Sequence, residues 1–479
     1  MPSHSSNVRP APDKVLGDIA NYVAGCKITR AEAYRTARYC LIDALGCALE
    51  ALSYPECTKL LGPIVPGIVI ANGARVPGTS FELDPVRAAF NLGAMIRWLD
   101  SNDSFTAAEG GHPSDNLGGI LATADYLSRR RIAAGKPPLV MRDVLTAMIK
   151  AYEIQGVLSL ENNFTRLGFD HAALVRVAST AVVTGMLGGG REEIINAVSN
   201  AWADGLTLKV YRQAPNIGSR KSWAGGDATS RAVMFGLMAV RGEMGYPSVL
   251  TAKTFGFYAA LFKGRPFKFQ RRYGSYVLEH VMFKFVAAGM HGQTAVECAL
   301  KLHPLVKDRL DEIDAITIMG TEKLIGIMDK RGPLSNPADR DHCVQYVVAV
   351  GMIFGGLTAA DFEDEFAADP RIDRLRAKMK VVENPRYTRD FHTPAKRSSA
   401  NAIQVRFKDG SNLPKVEVEY PIGHPRRRAE GIPMLEAKFK TNLARCFPPG
   451  QQAAILALCR DQARLEATPV NAFVDRFVI

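Results

Sequence analysis

A polar loop after residue 98 carries the residue types that acid–base catalysis needs. Asp100, Asp103 and Ser104 follow an apolar helical pattern, and Glu109 and His112 come shortly afterwards. Histidine can take up or release a proton near neutral pH, and a neighbouring carboxylate can orient its ring. Loops of this kind on a rigid scaffold often carry catalytic groups. The loop therefore predicts a site for proton transfer.

Part of this loop also has a simpler explanation. Ser114 or Asp115 could cap the helix that follows, because serine and aspartate are preferred at helix N-termini. Such a cap would leave His112 and the Asp100/Asp103 pair unexplained. Both interpretations stay open at this point.

A second segment carries residues suited to holding carboxylates. Arg212, Arg220 and Lys221 lie among turn residues after Tyr211, and a helix is predicted to begin near Gly226. Arginine can bind a carboxylate with two hydrogen bonds, and the amides of a helix start would add further donors. The glycine spacings of nucleotide-binding loops are absent. An ordinary solvated basic loop is an equally good explanation.

A third basic segment, residues 265–291, lies where the helical pattern gives way to a mixed one. Arg272 stands among aromatic residues, and Lys284 and His291 follow. Such a change of pattern is a common position for a cleft, although a linker with basic residues facing water would look the same. His171 precedes an apolar helix pattern, and a single residue in that position is more often structural than catalytic.

The charge balance favours a small anionic ligand. The chain of 479 residues has 60 lysines and arginines against 48 aspartates and glutamates, a net charge of +12. Its longest basic runs are the arginine triplets at 129–131 and 426–428, with no long basic helix to follow a nucleic-acid backbone. The nine histidines show no metal-binding spacing. Proton transfer on an anionic substrate remains, with no metal or cofactor predicted and the substrate left open.

The cysteines and the amino-terminal residues predict a cytoplasmic protein. Eight cysteines are present, none in a C-x-x-C pair, which fits reduced thiols better than disulfides or an iron–sulfur cluster. The first residues are polar and lack the apolar core of a secretion signal. No apolar run approaches the roughly 20 residues of a membrane span.

The pattern of apolar residues predicts a mainly α fold, with a large all-helical domain and a smaller α+β domain. Helical periodicity dominates residues 14–265. Strands are predicted at 315–319, 402–407 and 415–420, the last two as a hairpin around Asp409 and Gly410. Further helices are predicted at 342–354, 371–378, 433–447 and 451–466.

Long stretches around these candidates resemble the MmgE/PrpD superfamily. The resemblance covers residues 31–479 and is most specific in IRWLDSND at 96–103 and GHPSDNLGG at 111–119. Further matching stretches lie at residues 220–224, 226–231, 242–247, 336–343 and 419–424. Motifs this long and dense are far more specific than any single residue named above.

The resemblance implies a hydro-lyase that removes water from a tricarboxylic acid without a metal or organic cofactor. Decarboxylation of cis-aconitate, hydration of aconitate and epimerisation are alternatives within the same fold, and a nucleic-acid-binding protein with an inactive enzyme fold is an alternative from another class. The resemblance also implies a homodimer with its active site in a cleft under a lid. We expect a helical domain at 1–268, an α+β lid domain at 269–428, and helices at 429–479 that return to the first domain.

The resemblance also assigns roles to individual residues. It implies catalytic groups at Asp100, His112, His171, Lys221 and Lys284. We expect substrate contacts from Asp103, Ser104, Tyr211, Arg212, Arg220, Arg272 and His291. The chain departs from the family's dehydratases at Gly289, where they carry a glutamate. We expect that difference to slow the enzyme, alter its specificity or shift the work to another group.

Overall fold

The first half of the chain folds almost entirely into helices. The computed structural model describes residues 7–479. The helices of the first half are α1 (Lys14–Gly25), α2 (Ala31–Ala51), α3 (Pro55–Thr58), α4 (Pro85–Arg97), α5 (Leu117–Ala133), α6 (Met141–Glu161), α7 (Ala172–Met186), α8 (Arg191–Ala203), α9 (Arg220–Ala239), α10 (Phe257–Ala260) and α11 (Tyr276–Glu279). Two short antiparallel strands, β1 (Ala74–Arg75) and β2 (Glu82–Leu83), precede α4. The side chain of Asp84 caps α4 by accepting from the amides of Val86 and Arg87.

Three glycines bring α4, α5 and α9 into backbone contact. A Cβ on Gly93 of α4 would lie 2.7 Å from the Cα of Gly226 on α9, and a Cβ on Gly118 of α5 would lie 2.9 Å from the Cα of Gly93. Any side chain at these crossings would force the helices apart. The close crossing matters for chemistry, because predicted site residues lie at one end of each of these helices: Asp100 follows α4, His112 precedes α5, and Lys221 is in the first turn of α9.

The second unit is an α+β domain built on a four-stranded sheet. Its strands are β3 (Ile313–Gly320), β4 (Met379–Glu383), β5 (Asn401–Phe407) and β6 (Val416–Val418). They lie in the order β4-β3-β5-β6, with β3 and β4 parallel and the other pairs antiparallel. Its helices are α12 (Gln293–Val306), α13 (Glu322–Met328), α14 (Pro337–Arg340), α15 (Val344–Phe354), α16 (Asp364–Ala367), α17 (Pro370–Arg376) and α18 (Pro385–His392).

The last part of the chain returns to the helical domain. It forms α19 (Arg428–Ala444), α20 (Pro449–Arg460), α21 (Gln462–Ala467) and α22 (Val470–Val474). Leu435, Phe439, Phe473 and Phe477 are buried in the same apolar core as residues 16–283, while residues 287–418 have a core of their own. A lid with its own core is thus inserted into the helical domain.

The predicted fold class is confirmed, and so are the helical pattern and the β5–β6 hairpin. One helix start is wrong: α9 begins at Arg220, and Gly226 lies inside it because the crossing with α4 needs a glycine there. Strand β4 was missed, since an edge strand with only Val381 buried gives a weak apolar signal. The domain limits at 268 and 428 stay a prediction. In residues 7–479 no helix is long and apolar enough to cross a membrane.

Candidate active site

A buried carboxylate, that of Asp100, forms the centre of the site. It follows α4 in a left-handed backbone conformation, with φ of 53°, and is 1% exposed. Lys284 Nζ lies 2.5 Å from its Oδ1 and 2.7 Å from its carbonyl oxygen. Arg97 Nη1 lies 2.7 Å from the same Oδ1. Two buried cations therefore balance the charge that burial would otherwise disfavour.

Three more groups surround Asp100. His112 Nε2 lies 3.6 Å from Oδ1, His342 Nε2 lies 3.4 Å from Oδ2, and Lys221 Nζ lies 3.9 Å from Oδ2. His342 belongs to the lid, whereas His112 and Lys221 belong to the helical domain. We call the group the Asp100 cluster, with the members Arg97, Asp100, His112, Lys221, Lys284, Asp341 and His342.

The lid contributes a second carboxylate beside its histidine. Asp341 pairs with Lys221, and its Oδ1 lies 2.5 Å from His342 Nδ1. The carbonyl oxygen of Asp341 accepts from the amide of Gly289 at 2.9 Å. A Cβ on Gly289 would lie 3.0 Å from Met328 Sδ and 3.3 Å from His342 Cδ2, so a side chain here would press on both residues. The two domains therefore meet through charged groups at this point.

Burial and mutual charge set the protonation of the cluster. Burial alone would raise the pKa of Asp100, but the charges of Arg97 and Lys284 outweigh it and hold the pKa well below its ordinary value. Burial, with the same two cations, holds the pKa of His112 well below its ordinary value. Burial also lowers the pKa of Lys284. Asp100 is therefore an anion at neutral pH and His112 is uncharged.

The tautomer of His112 follows from one hydrogen bond. Its Nδ1 lies 2.7 Å from the carbonyl oxygen of Asp103, which can only accept. In the uncharged ring the proton is therefore on Nδ1, and Nε2 keeps its lone pair. That lone pair lies on the side of Asp100, so His112 is arranged to accept a proton.

A second histidine lies next to the first. The rings of His112 and His171 are 5.7 Å apart between centroids. His171 Nδ1 lies 3.6 Å from Asp170 Oδ1, and Asp170 is paired with Arg212. Burial lowers the pKa of His171 to about 3. The structure thus places two uncharged imidazoles side by side.

Four of the predicted residues have a buried polar atom without a hydrogen-bond partner in residues 7–479. These atoms are Ser104 Oγ, His171 Nε2, Tyr211 Oη and His291 Nδ1. Buried polar atoms are nearly always hydrogen-bonded in proteins, and an unpaired one marks a place where a polar ligand can bind. The unpaired atoms of Ser104, Tyr211 and His291 are compatible with the predicted substrate contacts, and that of His171 is compatible with its predicted catalytic role.

Asp103 has a different role from the one we predicted. Its Oδ1 accepts from the amide and hydroxyl of Ser114 at 3.1 and 2.8 Å, and its Oδ2 accepts from Tyr152 at 2.8 Å. With its oxygens occupied in this way, Asp103 holds the loop instead of facing a ligand. The cap interpretation is also wrong: Asp115 accepts from Asn102, and no side chain caps α5.

Comparison with protein families matches most of the chain to two domains of one family. The model of the MmgE/PrpD N-terminal domain matches residues 17–270, and that of the C-terminal domain matches residues 286–462. The chain belongs to the MmgE/PrpD family. The unmatched segment between the two family domains contains Lys284, so the site is built where they join.

Full-length relatives within the family carry one activity in their names. The chain is 65% identical to "2-methylcitrate dehydratase" of Cupriavidus necator over 98% of both chains, and 61% identical to the protein of that name from Salmonella typhimurium over the whole of both. It is 52% identical to "2-methylcitrate dehydratase, mitochondrial" of Yarrowia lipolytica, over 99% of this chain and 91% of that one.

Among the described residues, two arginines that we predicted as substrate contacts form no ion pair with the Asp100 cluster, although Arg220 lies over the ring of Tyr211 at 5.5 Å. Arg272 is exposed, in a separate surface groove of about 370 Å³ that Cys26 also lines. Arg220 is half-exposed, stacks on the ring of Trp223 at 4.3 Å and bonds Asp227 at 3.3 Å. The structure thus joins Arg212 to the site through Asp170, but not Arg272.

Three groups missed by the sequence reasoning belong to the cluster: Arg97, Asp341 and His342. All three stand in stretches that carry the MmgE/PrpD resemblance, 96–103 and 336–343. An arginine inside an apolar helix pattern and an adjacent Asp–His pair were signals that could have identified them. The pairing across the domains gave no sequence signal, because it depends on how the lid sits.

The cluster also includes a set of potential metal ligands. Among the described residues, Asp100, Asp341 and His342 offer ligand atoms within 4.8 Å of one another. Lys221 Nζ contacts Asp341, lies 3.2 Å from His342 Nδ1 and lies 3.9 Å from Asp100 Oδ2. This ammonium already supplies a positive charge among the three, so the set fits a divalent ion poorly. A reaction without metal stays our prediction.

Proposed function

We propose that this chain eliminates water from 2-methylcitrate to give 2-methyl-cis-aconitate, as a cofactor-independent hydro-lyase of propionate catabolism. The observation that carries the proposal is the identity of 61–65% with proteins named for this activity, over nearly all of both chains. The site adds a chemical reason, since it combines uncharged imidazoles with buried cations. These are the groups that elimination from a polycarboxylate needs.

The elimination makes three demands on the protein. A base must remove a weakly acidic proton from carbon, and an acid must protonate the departing hydroxide so that water leaves. Cations must stabilise the carboxylate next to the forming carbanion as it becomes enediolate-like, which is usually a large electrostatic contribution.

His112 is the base in this proposal. Its Nε2 lone pair is available, because Nδ1–H donates to the carbonyl oxygen of Asp103. After it takes the proton, the imidazolium lies 3.6 Å from the carboxylate of Asp100, which stabilises the new charge. Asp100 thus supports the base, since its own low pKa makes it a poor proton acceptor.

His171 is the acid in this proposal. Its pKa of about 3 reflects burial beside Arg212 and Lys209, with Asp170 acting against them. A bound tricarboxylate would raise that pKa, because negative charge nearby favours the imidazolium. The ring can then protonate the hydroxide, while His112 holds the proton taken from carbon.

Buried cations anchor the substrate carboxylates. The structure pairs each of them with a carboxylate of the protein: Lys284 with Asp100, Lys221 with Asp341, and Arg212 with Asp170. These pairs hold the cations in fixed positions, so that little reorganisation is needed when charge develops on the substrate.

The test is the absorbance of the enoate formed when chelator-treated protein is mixed with 2-methylcitrate, with citrate in a parallel reaction. Rapid formation from 2-methylcitrate that is indifferent to chelator supports the proposal. A folded protein that forms no enoate from 2-methylcitrate contradicts it. Release of carbon dioxide from cis-aconitate, or loss of optical activity of a chiral diacid, would then assign decarboxylation or epimerisation instead.

We further propose a cytoplasmic homodimer with the domain limits 1–268, 269–428 and 429–479. All eight cysteines are free, and six of them are buried, which supports a reducing compartment. Light scattering should give twice the chain mass of 52.2 kDa. A mass of one chain, or recovery of the protein in another cell fraction, would contradict this part.

A further inference from the structure

Lys438 of α19 lies against the Asp100 cluster from the far end of the chain. Its Nζ donates to Asp43 Oδ1 at 2.8 Å, to the carbonyl oxygen of Ser101 at 2.8 Å and to that of Lys284 at 3.0 Å. The side chain is 14% exposed, and that of Asp43 is fully buried. An ammonium has three N–H donors, so all the hydrogen-bonding capacity of Lys438 is used within the protein.

The three acceptors explain why this contact matters. Ser101 directly follows Asp100, whose left-handed backbone depends on how the loop is held. Lys284 is the residue whose Nζ contacts the Asp100 carboxylate. Lys438 therefore binds the main chain next to Asp100 and the main chain of Lys284, the two residues of the central ion pair. Asp43 of α2 holds the ammonium in place.

We propose that Lys438 is a positioning residue for the dehydration, one that sets the distance between Asp100 and Lys284 through their main chains. The proposal rests on the proposed function for its reaction. Misplacement of reacting groups by about 1 Å can cost a factor of about 100 in rate, even when the cause lies outside the chemistry. Lys438 needs no contact with the substrate to have such an effect.

The choice of variant separates positioning from simple stability. Lys438→Met alone leaves Asp43 buried without its cation, which can unfold the protein. The double variant Asp43→Asn/Lys438→Met removes both charges and keeps the side-chain volumes. Lys438→Arg keeps the charge and the donors. Lys150→Met is the matched control, since Lys150 Nζ donates to the carbonyl oxygen of Val23 at 2.6 Å in the same domain, outside the cluster.

The experiment measures kcat, KM and the pH dependence of kcat with 2-methylcitrate, for protein shown to be folded by calorimetry. We expect the double variant to lose about 100-fold in kcat, with KM changed by less than about threefold, because Lys221 and Arg212 keep their partners. The pH profile should shift as well, since the pKa values of Asp100 and Lys284 depend on their separation. Lys438→Arg should recover most of the loss, and Lys150→Met should match the wild type.

Hydrogen–deuterium exchange of the same proteins gives a readout that needs no substrate. Exchange should rise at residues 98–104 and 281–287 of the double variant and stay unchanged elsewhere. Unchanged kcat in the folded double variant, or unchanged exchange in both segments, would overturn the positioning role. Inactivity of the wild type on 2-methylcitrate would instead overturn the proposed function, and the exchange result would still decide the role of Lys438.

Discussion

Replacing His112 by asparagine separates the functions of its two ring nitrogens. The asparagine amide can reproduce the Nδ1–H that donates to the carbonyl oxygen of Asp103 at 2.7 Å, so the loop keeps its support. It has no group in place of Nε2, which lies 3.6 Å from Asp100. A positioned general base contributes about 10² to 10⁴ in rate. We therefore expect kcat to fall by at least about 100-fold.

The loss of stability should be small by comparison. The retained donor leaves no buried carbonyl unpaired, and the change removes no charge, because the lowered pKa keeps His112 neutral. We expect the free energy of unfolding to fall by about 1 kcal/mol, as for an ordinary buried substitution. Urea denaturation at pH 7 measures this change.

A control for the retained hydrogen bond lies outside the cluster. His280 Nδ1 donates to the carbonyl oxygen of Tyr276 at 2.7 Å, the same kind of bond outside the cluster. His280→Asn should keep wild-type kcat. If His112→Asn stays within threefold of the wild type in the enoate assay, His112 is not the base.

The pH dependence of the wild type tests the same assignment. The base must be uncharged, so activity is lost as pH falls through its pKa. Because burial and the nearby cations depress the pKa of His112, protonation of this base should cause no loss of kcat/KM at pH values where an ordinary histidine would already be protonated. An acid limb centred at the ordinary histidine value of about 6.5 would contradict the reasoning.

Four other substitutions test the remaining parts of the site. Lys284→Met leaves the buried carboxylate of Asp100 with one cation fewer, so we expect the free energy of unfolding to fall by about 3 kcal/mol, measured by urea denaturation. An unchanged free energy of unfolding would show that the ion pair adds nothing to stability. Burial raises the pKa of Asp115 to about 7. The folded state then holds a proton that the unfolded state releases above about pH 4, so stability falls from pH 4 to 7, and Asp115→Asn should flatten that slope in melting curves. Arg272→Ala should leave kcat/KM within about twofold of the wild-type value. A tenfold loss would show that Arg272 does contact the substrate. Gly289→Ala should lower kcat/KM severalfold, because the added Cβ would press on Met328 and on the His342 ring, and unchanged kinetics would show that both side chains have room to move.

The fold was predictable because most of its elements are long and amphipathic. Helices such as α6 and α7 bury one side or all of their length, so their apolar periodicity shows in the sequence. The start of α9 was not predictable from local rules, since Gly226 lies inside the helix for the sake of a contact with Gly93. Glycine is a weak sign of a helix boundary when another backbone passes close by.

The candidate site was predictable in part, and the missing part has a physical cause. Asp100 and His112 were named because their types point to proton transfer, and Lys284 was named because of the family resemblance. Asp341 and His342 join them through the packing of the α+β domain against the helical domain, and no local spacing records that contact. Asp103 was assigned to the substrate, because sequence cannot show that nearby hydroxyl and amide groups occupy its oxygens.

The return of the last helices to the first domain constrains how the protein can be synthesised. Phe439 of α19 packs on Gly46 of α2, where a Cβ would lie 3.3 Å from the phenylalanine ring. That surface of α2 leaves the ribosome nearly 400 residues before its partner, so the nascent chain exposes it for most of translation. The lid core at 287–418 is continuous and can form first. The helical domain therefore becomes complete only after α19 has been synthesised, long after α2, and this surface of α2 stays without its partner until then.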